Sequence, residues 1–285
     1  MYPLILLQQF IASSTHLFAK KVTMFLHPSI VVLFRGCFSA IAYGLWIGFT
    51  WKQLKTVEKR DIPWFFVLGA LNMPINQLLF IWGVKYTTPA NASLAYALTP
   101  AFVLIIAVLF LREQLTKKKT FGIMLAMFGT FIVLFEKGVA FGSEQFLGNV
   151  MVLSASVSWA VYTTLGKKYA MKYGGIFMTG ASMITGLILY IPVIMALPVE
   201  IEPLKYDSGI WFQLFYLGVI TSGLGYALWY VALTKMEASK LAVFNNIQPV
   251  LTTIMAFFLF NAIPSETFIL GALVAICGVI ITQKG

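Results

Sequence analysis

The sequence predicts an all-α membrane protein with ten transmembrane helices, arranged as two inverted repeats of five helices each. Three observations lead to this fold class: the composition, the spacing of the apolar stretches, and an internal sequence repeat that relates the two halves of the chain. Of the 285 residues, 60% are hydrophobic and 11% are charged, and the mean hydropathy is +0.87. A soluble domain carries roughly 45–50% apolar and about 25% charged residues. This chain therefore needs lipid around it.

Apolar stretches separated by charges or turn residues predict ten spans, each close to the roughly 20 residues that a bilayer requires. The spans cover residues 3–20, 29–50, 62–85, 89–111, 119–136, 147–168, 174–197, 209–233, 239–260 and 265–283. The connections between them are short and leave no room for a sizeable soluble domain. The first stretch lacks a positively charged start and a small-residue cleavage site, so we interpret it as a span and not as a removed signal peptide.

The basic residues predict the orientation of these spans. With the N-terminus in the cytoplasm, the outside loops hold five of the 20 Lys and Arg residues: Lys20, Lys21, Lys85, Lys137 and Lys205. Arg35 lies within a span, and the other 14 fall in inside loops. Cytoplasmic loops carry such an excess of Lys and Arg. We therefore expect a plasma-membrane protein with both termini in the cytoplasm, and the net charge of +10 does not indicate a nucleic-acid partner.

The second half of the chain repeats features of the first half at an offset of 149 residues. The aligned pairs are Pro100 with Pro249, Gly69 with Gly218, Gly122 with Gly271, and Gly129 with Gly278. At a slightly different offset, Lys20 and Lys21 align with Lys167 and Lys168. Because each half holds an odd number of spans, the two copies insert in opposite orientations, as in many secondary transporters. We place the first repeat at 1–137 and the second at 146–285.

Further spacings carry a family resemblance. They are the interval from Pro28 to Arg35, the sequence Leu111-Arg112-Glu113 that closes the fourth span, and the run from Gly122 to Gly129. With the two five-helix repeats, they resemble the drug/metabolite transporter superfamily in its EamA-type branch. The resemblance implies alternating-access transport of small metabolites, often export, through a cavity lined by spans 1, 3, 4, 6, 8 and 9. The second copy has Asn261-Ala262 in place of Arg112-Glu113, so any role of that ion pair is confined to the first half.

Polar residues inside the predicted spans are the candidate substrate-binding residues, because polar groups at bilayer depth are costly unless they face a bundle interior or water. The candidates are Asn72, Asn76, Tyr96, Trp159, Tyr162, Tyr226, Tyr230, Asn245, Asn246 and Gln248. Asn72 and Asn76 are four residues apart, which in an α-helix places them on one face. Together these side chains suit a substrate with a flat or apolar part and a polar head. The alternative is that they only cross-link helices, at about 0.6 kcal/mol each on average.

Arg35 and His16 are the ionisable side chains well inside the predicted spans. Arg35 either snorkels to the outer interface or faces the cavity and meets a substrate carboxylate. His16 serves either in hydrogen-bonded packing or as a proton relay. No acidic residue lies deep in a predicted span, which argues against a site for hydrophobic cations and against carboxylate-based proton coupling.

Prolines and small residues predict how the spans bend and pack. Pro100 and Pro249 occupy equivalent places in spans 4 and 9, and we expect them to act in gating, since each removes a backbone hydrogen-bond donor. The small residues of spans 5 and 10 form matching packing faces. A homodimer through these faces is the alternative.

The sequence contains neither a metalloprotease H-E-x-x-H motif nor a hydrolase G-x-S-x-G motif, and its two cysteines form no Cys-x-x-Cys motif. We therefore predict no enzyme activity, no metal and no cofactor. The predicted function is a secondary transporter, with export favoured, of a small amphipathic metabolite such as an amino acid. The alternatives are a translocator of phosphorylated or lipid-linked precursors, which would need more buried cations than Arg35, and a channel, for which no charge ring or filter motif is present.

Overall fold

In the computed structural model the described residues are 1–49, 57–87, 89–136, 143–260 and 266–285, and they form helices without a strand. The helices of the first half are α1 (Tyr2–Val22), α2 (Pro28–Phe49), α3 (Ile62–Ala70), α4 (Leu78–Tyr86), α5 (Pro89–Ala97), α6 (Thr99–Leu111) and α7 (Lys117–Glu136). Those of the second half are α8 (Ser143–Tyr173), α9 (Gly175–Met195), α10 (Ser208–Phe215), α11 (Tyr226–Leu233), α12 (Ala238–Ala242), α13 (Gln248–Phe260) and α14 (Glu266–Gln283). Asn261 and Ala262 lie outside the described residues.

Among the described residues, five helical stretches are long and apolar enough to cross a bilayer: Pro28–Phe49, Lys59–Tyr86, Phe146–Tyr173, Gly175–Met195 and Ser208–Leu233. The outer surface fits this, since large apolar side chains such as Phe49 and Leu109 are 88% and 70% exposed. Polar side chains such as Gln9 and Asn72 are buried instead. An inside-out distribution of this kind is that of a protein surrounded by lipid. Over its described residues the chain is an all-helical membrane protein.

Two of these stretches contain a π-helical segment. The first π segment, Leu71–Gln77, joins α3 to α4, and the second π segment, Tyr216–Gly225, joins α10 to α11. Pro74 lies inside the first of them. π-Helical turns are rare and occur frequently at functional sites. Both segments contain residues that line the cavity described below.

Two further helical breaks lie at equivalent places in the halves. α6 begins at Thr99 after a break at Leu98, and α13 begins at Gln248 after a 3-10 segment, Val243–Ile247. The two starting residues are 149 positions apart, which is the offset of the sequence repeat. Pro100 and Pro249 are therefore each the second residue of a helix. A first helical turn accepts proline without losing an intrahelical hydrogen bond.

The most extensive helix–helix contact joins α7 to α14, through the small-residue faces predicted for packing. A Cβ atom placed on Gly129 would lie 2.3 Å from the backbone nitrogen of Ala275, and one placed on Gly278 would lie 2.3 Å from that of Ala126. The backbones touch because these residues have almost no side chain. These faces are therefore occupied within one chain.

Charged residues meet at one end of the helices in what we term the Glu113 cluster: Glu113, Lys119, Lys167 and Glu237. Lys119 forms an ion pair with Glu237, and its Nζ lies 3.9 Å from Glu113 Oε2. Lys167 Nζ lies 3.6 Å from Glu113 Oε1 and donates to the carbonyl of Met236 at 2.8 Å. The cluster thereby ties α7 and α8 to the connections that follow α6 and precede α12.

Candidate functional site

A cavity lies between the two halves of the chain, with an open volume of about 60 Å³, room for only a few water molecules. From the first half it is lined by Gln8, Ala12, Thr15, His16, Arg35, Asn76, Phe80 and Tyr96. From the second half it is lined by Trp159, Thr221, Gly225, Tyr226, Asn245 and Gln248. Among the described residues of this wall, none is Asp or Glu. Arg35 supplies its positive charge.

Helix α1 contributes one continuous face to the cavity. Gln8, Ala12, Thr15 and His16 are spaced i, i+4, i+7 and i+8, which places them along one side of an α-helix. The polar residues of this face also make α1 less apolar than the stretches named above as membrane-crossing. The amphipathic character of α1 therefore follows from its place beside the cavity.

A network of amides joins α1 to the start of α13. Gln9 Nε2 donates to Gln8 Oε1 at 2.9 Å and to Asn245 Oδ1 at 3.2 Å. Gln248 Nε2 donates to Gln9 Oε1 at 2.9 Å and to Asn245 Oδ1 at 3.2 Å. His16 Nε2 lies 3.3 Å from Gln248 Oε1. The network leaves two buried atoms without a partner among the described residues, Asn245 Nδ2 and His16 Nδ1.

Arg35 reaches the cavity from α2 and is only 2% exposed, so its side chain does not snorkel to a surface. Its Nε donates to Ser222 Oγ at 2.5 Å. Its Cζ atom lies 6.0 Å from the centroid of the Tyr226 ring, at the limit for a cation–π contact. Its Nη1 is buried and has no hydrogen-bond partner among the described residues.

Asn76 lines the cavity whereas Asn72 does not, although an α-helix would place both on one face. Asn76 Nδ2 donates to Tyr96 Oη at 2.9 Å and to the carbonyl of Ala155 at 2.7 Å. Asn72 instead accepts a hydrogen bond at 3.2 Å from Gln77, five residues later, and its Nδ2 contacts Met183 Sδ. Both residues lie in the first π segment, where hydrogen bonds connect residues five apart, and the bond from Gln77 to Asn72 has this spacing.

The aromatic residues also divide into two groups. Trp159 and Tyr226 line the cavity, and their ring centroids are 4.8 Å apart. Tyr162 and Tyr230 lie outside the lining. The hydroxyl groups of Tyr162 and Ser182 are 2.7 Å apart, and Tyr230 Oη donates to the carbonyl of Tyr162 at 2.8 Å.

Two more groups of predicted site residues lie outside the lining. Asn246 Oδ1 accepts a hydrogen bond from Thr130 at 3.0 Å and so connects α7 to the 3-10 segment before α13. Pro100 and Pro249 also do not line the cavity, and each begins a helix beside it. Of the predicted residues, those that the structure brings together at the cavity are His16, Arg35, Asn76, Tyr96, Trp159, Tyr226, Asn245 and Gln248.

Six residues of the described lining lie outside the predicted set: Gln8, Ala12, Thr15, Phe80, Thr221 and Gly225. Ala12 could have been predicted from its spacing, since it lies four residues from both Gln8 and His16 and so shares their helix face. Phe80 stands four residues after Asn76, and its ring centroid lies 5.3 Å from that of His16. In the described part of the chain no group of three or more His, Cys, Asp or Glu is placed to hold a metal ion.

Comparison with known proteins gives a consistent result along the chain. The EamA-like transporter family matches residues 1–135 and 146–283. An uncharacterized transporter of Archaeoglobus fulgidus is 33% identical over 198 residues, which cover 70% of this chain and 69% of the relative. The uncharacterized transporter YyaM of Bacillus subtilis is 27% identical over 265 residues, which cover 92% of this chain and 86% of the relative.

Another relative has a more specific description. It is a probable terminal-alkyne amino-acid exporter of Streptantibioticus cattleyicolor, 25% identical over 228 residues, which cover 79% of this chain and 74% of the relative. A solved crystal structure superposes on this chain with a TM-score of 0.78 at 17% identity. That superposition covers 100% of this chain and 97% of the other chain, and it shows a shared fold.

Proposed function

Because this chain belongs to the EamA-like transporter family, and is thus a transporter and not an enzyme, we propose that it exports a small amphipathic metabolite by alternating access. The proposed site is the cavity between the two halves. The single observation that carries this proposal is that both halves contribute polar side chains and aromatic rings to one buried space. In inverted-repeat transporters the substrate binds at the interface between the repeats.

The small volume of the cavity supports a change of conformation during transport. A space of about 60 Å³ is far below the roughly 300–1,000 Å³ of ordinary ligand pockets. An amino acid therefore enters only if the helices around the cavity separate. Access from one side at a time meets this requirement, whereas a continuous open pore does not.

We propose that the fold comprises ten spans in two inverted repeats, and the pattern of helix contacts supports this. α2 packs on the second π segment, and its counterpart α9 packs on the first; likewise α1 packs on α13 while α8 packs on α6. The aligned glycines Gly69 and Gly218 also make equivalent close contacts, each with the helix that is the counterpart of the other's neighbour. A Cβ atom on Gly69 would lie 2.6 Å from the backbone of Gly186 on α9, and one on Gly218 would lie 2.4 Å from Phe38 on α2.

We also propose that both termini face the cytoplasm of a plasma-membrane protein. In a variant with Cys37 and Cys277 replaced by alanine, a cysteine at Asp207 would be labelled from outside by an impermeant thiol reagent. A cysteine at Thr116 would be labelled only after the cells are opened. The reverse labelling pattern would contradict the proposed orientation.

Export of an amino acid or a related compound is supported by the description of the Streptantibioticus relative and by the chemistry of the cavity. The test is a metabolite-toxicity screen that compares expressing cells with cells that carry the empty vector. An exporter raises the tolerated concentration of at least one amphipathic metabolite. Increased sensitivity would indicate import. Unchanged tolerance across amino acids and their analogues would contradict the proposed substrate class.

A further inference from the structure

We propose that Arg35 is the binding group for a substrate carboxylate, so that the transporter takes small monocarboxylates with an apolar or aromatic body. The inference rests on the proposed function, and it specifies the class of substrate that the cavity accepts. Four features of the cavity, as its described residues form it, carry the inference: the anchoring of Arg35, the lack of a counter-ion for it, the lack of a second Lys or Arg, and the polar atoms left free by the amide network.

The guanidinium of Arg35 is held in place from the opposite half of the chain. Nε donates to Ser222 Oγ in the second π segment, 187 residues away in sequence. This bond restrains the guanidinium, while Nη1 stays buried and without a partner among the described residues. An arginine presents its N–H donors as a rigid fork that matches a carboxylate. Arg35 is therefore oriented in advance for an anion.

The charge of Arg35 has no counter-ion within the described residues. None of the ion pairs there includes Arg35, and no Asp or Glu belongs to the described cavity wall. An isolated buried charge is strongly unfavourable. An anionic substrate would supply the missing charge each time it binds. The guanidinium of Arg35 is therefore unpaired while the cavity is empty and paired when the substrate is bound.

A single carboxylate satisfies the site, because the repeat does not duplicate Arg35. The residue 149 positions later is Ile184, so the second half offers no matching cation. A phosphate group or a dicarboxylate would bring more negative charge than the described lining neutralises. The charge balance therefore favours a group with one negative charge.

The remaining polar atoms define what stands beside the carboxylate. Gln248 donates through Nε2 to Gln9 and Asn245, so its Oε1 faces His16 as an acceptor. His16 Nε2 then donates, and in the neutral ring Nδ1 is an acceptor. The cavity thus offers a free acceptor at His16 and a free donor at Asn245 Nδ2. The rings of Trp159 and Tyr226 complete a wall for the apolar part.

The experiment compares carboxylates with their amides on the purified full-length protein. The probe pairs are acetate with acetamide, phenylacetate with phenylacetamide, and L-phenylalanine with L-phenylalaninamide. Each probe is titrated while the thermal unfolding midpoint is recorded, since a ligand that binds the folded state raises this midpoint. We expect at least one carboxylate to bind about tenfold or more tightly than its amide, as a charge-assisted bidentate contact does.

Two variants of Arg35 and one of Ser222 test the assignment. Arg35→Gln removes the preference for carboxylates but does not lower the unfolding midpoint of the ligand-free protein, because it removes an unpaired buried charge. Arg35→Lys keeps the charge and retains part of the preference. Ser222→Ala keeps the charge of the guanidinium but removes its anchor, so it weakens binding without abolishing the preference. If Arg35→Gln does not accumulate, the wild-type comparison and Arg35→Lys decide the result.

The inference is overturned if amides bind the wild type as tightly as carboxylates do, if no carboxylate binds, or if Arg35→Gln keeps the preference. Its failure is distinguishable from that of the proposed function. Export of a compound without a carboxylate, at the same rate in Arg35→Gln, would remove the carboxylate subsite and leave the transporter. Carboxylate binding without movement of any tested compound across the membrane would leave the subsite and remove the proposed function.

Discussion

The carboxylate of Glu113 caps the helix that begins at Ala238, and its Oε1 atom lies 2.6 Å from the backbone nitrogen of Ala238. The other oxygen accepts hydrogen bonds from the backbone and the hydroxyl of Ser239. A carboxylate at a helix N-terminus is favourable because the first N–H groups have no intrahelical partner. The side chain of Glu113 is only 6% exposed, and that of Lys119 1%, so water contributes little to either charge.

We expect Glu113→Gln to lower the free energy of unfolding by about 1–3 kcal/mol, because a buried acceptor and the countercharge of Lys119 and Lys167 are lost together. The thermal unfolding midpoint of the purified protein measures the effect. Glu202→Gln is the matched control. Its ion pair with Lys205 is exposed on both sides, 46% and 71%, so its loss costs at most about 1 kcal/mol. Equal shifts in both variants would contradict a stabilising role for the Glu113 cluster.

The contact between α7 and α14 predicts a strong effect at Gly129. In Gly129→Ala the new Cβ atom would lie 2.3 Å from the nitrogen of Ala275. The two backbones must separate, which costs about 1–3 kcal/mol and lowers the unfolding midpoint. At Gly44 a Cβ atom would meet nothing within 4 Å. Gly44→Ala is therefore neutral or stabilising, since alanine has the higher helix propensity. If Gly129→Ala were as well tolerated as Gly44→Ala, the close packing would be wrong.

Lys20 and Lys21 form a matched pair for a third prediction. Lys20 Nζ donates to the carbonyls of Val84, Lys85 and Thr87 at 3.0, 3.0 and 2.9 Å, while Lys21 is exposed. Lys20→Met leaves these carbonyls at the end of α4 without their donor. We expect a loss of about 1–3 kcal/mol in the free energy of unfolding. Lys21→Met stays within about 0.5 kcal/mol of the wild type. The opposite ranking of the two midpoints would refute this role of Lys20.

The gating hypothesis for Pro100 and Pro249 remains a prediction, and the structure sharpens its test. Each proline is the second residue of a helix that follows a break. Alanine at either position restores a backbone donor and favours continuation of the helix through the break. We expect Pro100→Ala and Pro249→Ala to slow transport while membrane insertion and accumulation are unchanged. Normal rates in both variants, or loss of rate only in proportion to lost protein, would exclude gating.

A further prediction concerns lipophilic cations. Among the described residues the cavity wall carries the charge of Arg35 and no carboxylate, so a permanent cation is repelled from it. Cells that express the protein are expected to tolerate such cations no better than cells with the empty vector. Increased resistance, coupled to a proton gradient, would show that another site or another charge distribution governs binding.

The positions of the helices follow from the spacing of apolar residues, whereas the breaks within them do not. Apolar spacing does not predict that residues 71–77 form a π segment, in which Asn72 bonds to Gln77 while Asn76 bonds to Tyr96. The lining residue Ala12 was not predicted, although helical periodicity places it on one face with Gln8 and His16. The amide network depends on contacts between residues more than 230 positions apart, such as Gln9 and Asn245. Such contacts are fixed by packing between the halves, and local patterns do not contain them.

The same limit applies to Arg35 and to the tyrosines. Position within a span left two orientations open for Arg35, and only the anchor at Ser222 on the other half selects the cavity. Tyr162 and Tyr230 have the same residue type and a similar depth to Tyr226, yet they bond to each other and to Ser182. Whether a tyrosine lines the cavity depends on which side of its helix it occupies and on which neighbouring helix that side contacts.

Because of the two π segments, the directions in which the cavity side chains point depend on how many residues each segment contains as well as on their types. A π-turn accommodates more residues than an α-turn, and each residue in an α-helix advances the side chain by about 100°. Deletion of one residue within Leu71–Gln77 would therefore rotate Asn76 and Phe80 relative to α3 while the stretch still spans the bilayer. Insertion or deletion of one residue in either segment would therefore change several of the side chains that face the cavity. The length of each π segment is thus a determinant of which side chains line the cavity.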